Sequence, residues 1–137
     1  MTIAPQYNKH SCFVACLESF FRDCGKTLDQ EKTVKGNPDL FYGGAEIEGS
    51  CDTTSFPEVA RRLGIQHQQI SSSAFGAMYP LETILLHVYW EDDPKNEHCV
   101  RYYSQNNDKF TVMNPRRADK LDDMPIVWVR GIHKFSM

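Results

Sequence analysis

Partway along this chain the spacing of apolar residues changes, and that change limits what it can fold into. Between Ser11 and Cys24, the residues Val14, Leu17, Phe20, Phe21 and Cys24 recur on one helix face. Gly25 follows as a stop, and Ser11 or Asn8 can cap the front. Thr27-Leu28-Asp29-Gln30 reads as a capping box for a short second helix that ends near Gly36-Asn37-Pro38. Residues 37–53 carry the glycines of a loop. Ser55 and Glu58 form a second box, opening a helix through Val59, Ala60 and Leu63 to Gly64. Ile65 to Ile70 reads as a short strand.

Strand patterns dominate the second half. They cover Ile84 to Trp90, a stretch containing Cys99 to Tyr103, Lys109 to Met113, and Ile126 to Arg130. Helices first and strands after predict an α+β domain over residues 1–137, with N-terminal helices packed on a C-terminal antiparallel sheet. At this length one domain can bury a sizeable core.

The hairpin around Gln105-Asn106-Asn107-Asp108 has a register that matters. Slipping a strand by one residue moves every side chain to the other face. A three-residue loop, Gln105 to Asn107, sets His98 opposite Asn114. One face then carries Val100, Tyr102, Phe110 and Val112, with His98 and Asn114 at its end. The other carries Cys99, Arg101, Tyr103, Lys109, Thr111 and Met113 and reads mostly as solvent-facing. A two-residue Asn106-Asn107 turn would mix the apolar and polar sets. Burial favours the longer loop, with Asn107 in its left-handed position.

Chemistry then concentrates on four residues. Cys12 starts the first helix, where unpaired N–H groups favour a thiolate. That predicts faster alkylation of Cys12 than of the other four cysteines. Gln6 lies six residues earlier, and His98 and Asn114 meet through the hairpin. A thiol, a base, a group that orients the base and an oxyanion donor are the parts needed for acyl transfer. Cys16, Cys24, Cys51 and Cys99 read as small buried apolar residues. His10, His67, His87 and His133 lack a partner of the kind His98 has, and read as surface or core. Trp128 and Tyr102 read as core, and Trp90 as core or cleft wall.

Composition trims the alternatives. A net charge of −3 without a basic run gives nucleic acid no footprint, and Arg61-Arg62 and Arg116-Arg117 read as solvated pairs. No apolar run spans a membrane, and no signal-peptide pattern precedes the first helix. Five scattered cysteines make a poor disulfide framework. The expected setting is a reducing cytosol, or delivery into another cell by a machine that needs no signal peptide. Cys12 and Cys16 share a helix face but have no second pair, so neither metal nor cofactor is expected.

These residues resemble the papain-like cysteine peptidases, and most closely the C39 group of bacteriocin-leader peptidases. Gln6-Tyr7-Asn8-Lys9-His10-Ser11-Cys12-Phe13 resembles that group's opening. The Ser55 to Gly64 helix with Ile65, the strand Glu97-His98-Cys99-Val100 and the strand ending in Asn114-Pro115 follow in the same order. Ser11-Cys12-Phe13 departs from the group's Asp-Cys-Gly, and Asn114 stands where the group has Asp and papain has Asn. The resemblance implies a papain-like fold acting as a stand-alone domain. It also implies Cys12 as nucleophile, His98 as base and acid, Asn114 as its orienting partner, and Gln6 with the Cys12 N–H as oxyanion donors. The implied substrate is a peptide or protein, hydrolysed at a peptide or isopeptide bond through an acyl-enzyme. The same triad would equally serve a deamidase, amidase or acyltransferase. A papain-like module that only binds a partner is the third reading.

Overall fold

The computed structural model describes residues 2–44, 47–71, 81–90, 93–117, 119–125 and 129–137, with backbone alone at 90 and 93–96. Three helices precede most of the sheet: α1 (Cys12–Asp23), α2 (Gln30–Lys35) and α3 (Phe56–Arg62). The strands are β1 (Gln66–Ile70), β2 (Glu82–Trp90), β3 (Asp93–Asn106), β4 (Lys109–Met113), β5 (Asp122–Pro125) and β6 (Val129–Ser136). They form one antiparallel sheet in the order β1-β6-β2-β3-β4-β5. The expected α+β class and its helices-on-sheet layering are both present. None of the described helices is long and apolar enough to cross a membrane.

Helix α1 forms where its periodicity places it. Its end is closed by two bonds, Lys26 N–H to Phe21 O at 2.8 Å and Gly25 N–H to Arg22 O at 3.0 Å. Gly25 turns the chain at φ +73°, a conformation that costs glycine little. Helix α3 ends through the same pair of bonds. The capping boxes behave differently from expectation. Asp29 caps α2 through Lys32 N–H at 3.0 Å, while Gln30 turns into the core. There Gln30 holds Glu18 and the Pro5 carbonyl, tying the N-terminal segment to α1. Ser55 sits at the α3 N-cap without a side-chain bond, and Glu58 pairs with Arg61 and Arg62.

The β3–β4 hairpin departs from the predicted register. Asn106 pairs with Lys109, so the turn is Asn107-Asp108 and not a three-residue loop. Asn107 does take the left-handed conformation, at φ +55°. A bulge between Tyr102 and Ser104 makes Tyr103 the extra residue and shifts the pairing to Tyr102 with Val112 and Arg101 with Met113. Continued one step, that register puts Asn114 level with Val100, on the face of His98 and diagonal to it. The shared face was therefore predicted correctly, but the direct cross-strand pairing was not.

The other face of the hairpin also differs from the solvent-facing surface expected of it. Cys99, Arg101 and Met113 are buried, because α1 packs over them together with Leu85 and Phe135. Cys16 donates to the Cys99 carbonyl at 3.6 Å. Val100, Phe110 and Val112 gather with Ile84, Leu86 and Ile132 in a second cluster. Both faces of the hairpin are thus apolar near the centre of the sheet. The sequence hid this because Arg101 looks like a surface residue. Its guanidinium donates to Thr83 and Ser19, both at 2.8 Å, to Tyr103 at 2.9 Å, and to Asp23. Burial raises the Asp23 carboxyl, but bonds from Arg101 and Thr2 outweigh it and hold the carboxyl below its usual range.

The C-terminal strands extend beyond the expectation. β5 was not anticipated, and β6 extends to Ser136 beyond the strand expected at 126–130. Residues 126–128, with Trp128, and the Trp90 side chain lie outside the described residues.

Candidate active site

The local fold around Cys12 starts with Ser11. Ser11 is fully buried, and its hydroxyl exchanges hydrogen bonds with the Asn8 backbone at 3.2 Å, so it does not cap α1. Gly49 closes over it at φ +97°, where a Cβ would lie 3.0 Å from the Ser11 Cβ. Only glycine fits that approach, which sets the Gly49 backbone against the helix start. Cys12, half-buried, opens into a cleft of about 480 Å³. Phe13, Cys51, Phe56, His98 and Arg116 are among its walls.

His98 and Asn114 are almost wholly buried, at 1% and 0% exposure, so both need polar partners. His98 Nε2 lies 2.8 Å from Asn114 Oδ1. The Asn114 amide donates through Nδ2 to Asp122 at 3.2 Å, and Arg116 N–H donates to its Oδ1 at 3.1 Å. These two bonds fix which end of the amide is oxygen. An oxygen facing Nε2 makes Nε2 the protonated nitrogen, which leaves the Nδ1 lone pair as the basic position. Asp122 was not singled out in the sequence. It becomes relevant only because β5 pairs beside β4, and eight intervening residues give no local sign of that.

The electrostatics differ from the expected thiolate. Burial pushes the Cys12 thiol up to about 12, with the nearby Cys99 thiol adding to the rise. Backbone N–H groups of Cys99 and Phe13 and the charge of Arg116 oppose this without overcoming it. Burial also takes His98 down to about 4, against the Asn114 bond and with help from Arg116. At neutral pH the resting pair is thiol and neutral imidazole. The helix terminus favours a thiolate by up to about 2 kcal/mol, less than desolvation costs here. Cys51, in the same cleft, is also pushed up to about 12. Burial thus acts on Cys12 and Cys51 in the same direction, against the thiolate expected at Cys12. Iodoacetamide alkylation of Cys12 should rise steadily from pH 6 to pH 10, as the small thiolate fraction grows. A rate plateau between pH 5 and 8 would instead reveal a preformed thiolate–imidazolium pair.

Gln6 lies beside the cleft and does not line it. Its Nε2 donates to the Asn8 carbonyl at 2.9 Å, and its backbone N–H to Pro115 O at 3.2 Å. The side chain lines an adjoining groove with Pro5, Pro115 and Arg116. The Gln6 amide carries a second N–H beyond the one given to Asn8. Its Oε1 is buried without a hydrogen-bond partner among the described residues.

Three of the histidines read as surface or core have polar partners. His67 Nε2 lies 2.9 Å from His133 Nδ1, and Phe56 meets the His133 ring edge-on. His87 Nε2 is 3.2 Å from Glu97 in the cleft wall. Burial, reinforced by His67 and His87, brings His133 down to about 4. His98 and His133 therefore stay neutral when folded but protonate near 6.5 once unfolded. The unfolded state binds more protons below that pH, so stability falls as pH drops from about 6.5 to 4. The two residues together should contribute a slope of roughly 2 kcal/mol per pH unit near pH 5. His133→Leu should remove about half of that slope, measured by chemical denaturation at several pH values. An unchanged slope would refute the assignment.

Among the described residues, no cluster of three His, Cys, Asp or Glu side chains could hold a metal.

No protein-family model and no curated protein matches the sequence. Solved structures do match. The peptidase domain of a Streptococcus ComA, a bi-functional ABC transporter involved in a quorum-sensing pathway, superposes with a TM-score of 0.72 at 16% identity. That match covers 98% of this chain and 97% of the other. The Streptococcus mutans ComA peptidase domain gives 0.58 at 15% identity, and its complex with a small-molecule inhibitor gives 0.61 at 16%, both over the full length of each chain. The helices, the six-stranded antiparallel sheet and these superpositions together show that the chain has the C39-like, papain-like peptidase fold.

Proposed function

We propose that this protein is a cysteine peptidase that hydrolyses a peptide or isopeptide bond through an acyl-enzyme. One observation carries the reading: His98, bonded to the buried Asn114, lines the same cleft as a helix-start cysteine. The fold, shared with peptidase domains, supports it.

The resting protonation states set the order of events. Neutral His98 takes the Cys12 proton on Nδ1 as sulfur attacks the carbonyl carbon. The carbonyl π pair moves to oxygen, and first-turn N–H groups of α1, which have no intrahelical acceptor, meet that oxyanion. The imidazolium formed is held through Nε2–H by Asn114 Oδ1. It then gives its proton to the leaving amine as the C–N bond breaks. Water repeats the sequence on the thioester, with His98 again as base.

The test is cleavage of a proteome-derived peptide library, read by mass spectrometry, with the Cys12→Ala protein as control. New termini should form with the wild type only. Equal yields from both proteins, or none from either, would overturn the reading.

A further inference from the structure

The hydrogen bonds behind His98 run on past Asn114 to the edge of the sheet. Asn114 is fully buried, so each polar atom of its amide needs a partner. Its Oδ1 serves Arg116 N–H at 3.1 Å and the imidazole Nε2 at 2.8 Å. Its Nδ2 donates to Asp122 Oδ2 at 3.2 Å. Asp122 stands on β5, an edge strand that pairs with β4. Val112 of β4 lies opposite Asp122, and Asn114 comes two residues after Val112 on the same face. The carboxylate therefore meets the amide on the diagonal.

Arg117 Nη1 also approaches Asp122, at 3.7 Å, but that side chain is largely exposed and such a pair contributes little. Asp122 lines neither the cleft nor the adjoining groove. It reaches the chemistry through Asn114.

A carboxylate in that place acts in two ways. It only accepts hydrogen bonds, so it faces the Nδ2 end of the amide and not the Oδ1 end. That opposes the flipped amide, whose Nδ2 would donate to Nε2 and send the imidazole proton to Nδ1, where it would block uptake of the Cys12 proton. The carboxylate also polarises the amide, which makes Oδ1 a stronger acceptor for the imidazolium formed during attack.

On the reading that His98 is the base, we propose that Asp122 is a positioning residue for this site. Through Asn114 it selects the His98 tautomer with the proton on Nε2 and steadies the imidazolium.

The test reads the tautomer directly, from the ¹⁵N shifts of the ring nitrogens in histidine-labelled protein at pH 7, where His98 is neutral. The wild type should show Nε2 protonated and Nδ1 bare. Asp122→Ala should move both ring shifts toward the Nδ1-protonated form. Asp122→Asn, which keeps an accepting oxygen, should hold them near the wild-type values. The His67–His133 pair, on the strands at and next to the opposite edge, reports in the same spectra that each variant is folded. Asp123→Ala is the control, since that carboxylate accepts from Thr111 at 3.1 Å and should leave His98 unchanged. On a peptide that the wild type cleaves, Asp122→Ala should lower kcat roughly ten- to hundredfold, as for one hydrogen bond to a charged group, with KM unchanged. Asp122→Asn should fall between. Unchanged His98 shifts in Asp122→Ala, an undiminished kcat, or equal losses in Asp122→Ala and Asp123→Ala would overturn the proposal. The spectra do not depend on turnover. If the wild type cleaves nothing, a tautomer change in Asp122→Ala but not in Asp123→Ala sustains the positioning role while the peptidase reading fails.

Discussion

Cys12→Ala is expected to abolish peptide turnover, by about 10⁴-fold or more, while leaving the fold intact, since no acyl-enzyme can form. His98→Ala should fail almost as completely. The manner of failure should distinguish the residues further. With thiol and imidazole both neutral at rest, His98→Ala should change Cys12 alkylation at pH 7 little, because it removes a base and not a counter-ion. Asn114→Ala should be intermediate, as the imidazolium loses its acceptor and the tautomer its lock. Gln6→Ala is the informative variant. Loss of one oxyanion donor costs about 10²–10³ elsewhere, and Gln6 has one amide N–H for that task beyond the one bound to Asn8. Turnover and alkylation measured on the same samples decide this. Full turnover in Gln6→Ala would remove it from the oxyanion site and leave that task to the backbone N–H groups of α1.

The largest stability effect should come from the buried Arg101. Asp23→Ala strips its anionic partner while the guanidinium stays 6% exposed against Phe20 and Tyr103. A buried pair broken on one side typically costs about 3–5 kcal/mol. Replacing both partners, as Arg101→Met with Asp23→Asn, should cost less than Asp23→Ala alone, because no uncompensated charge remains. Denaturant titration of the single and double variants would show this. A double variant less stable than Asp23→Ala would mean that the hydrogen bonds to Thr83 and Ser19 matter more than the charge.

What was legible in the sequence was mostly what local pattern controls. α1 announced itself through periodicity and Gly25, and β4 was delimited to the residue by Lys109 and Met113. The shared face of His98 and Asn114 was also legible, because apolar alternation constrains parity more tightly than turn length. The missed features depend on long-range packing. No local rule shows that Arg101 can be buried when Asp23 and Ser19 of α1 and Thr83 of β2 converge on it. β6 was obscured because Gly131, His133 and Lys134 interrupt its apolar run, although His133 is buried against Phe56. The burial that opposes the expected thiolate is of the same kind. Helix polarity is visible in a sequence, whereas the desolvation of one sulfur is a property of the closed cleft.

The Tyr103 bulge has a consequence for how this hairpin can vary. Asn107-Asp108 alone would leave Asn114 on the face of Arg101, away from the imidazole, and one extra residue in β3 restores the match. Insertions and deletions between His98 and Asn114 are therefore not equivalent. Changes of two residues keep the two side chains on one face, while a change of one must be cancelled by gaining or losing a bulge. In related chains, the number of residues separating base and partner should keep its parity or change together with the bulge. The spacing then behaves as a two-valued code in which a neutral insertion event has to be paired with a second one.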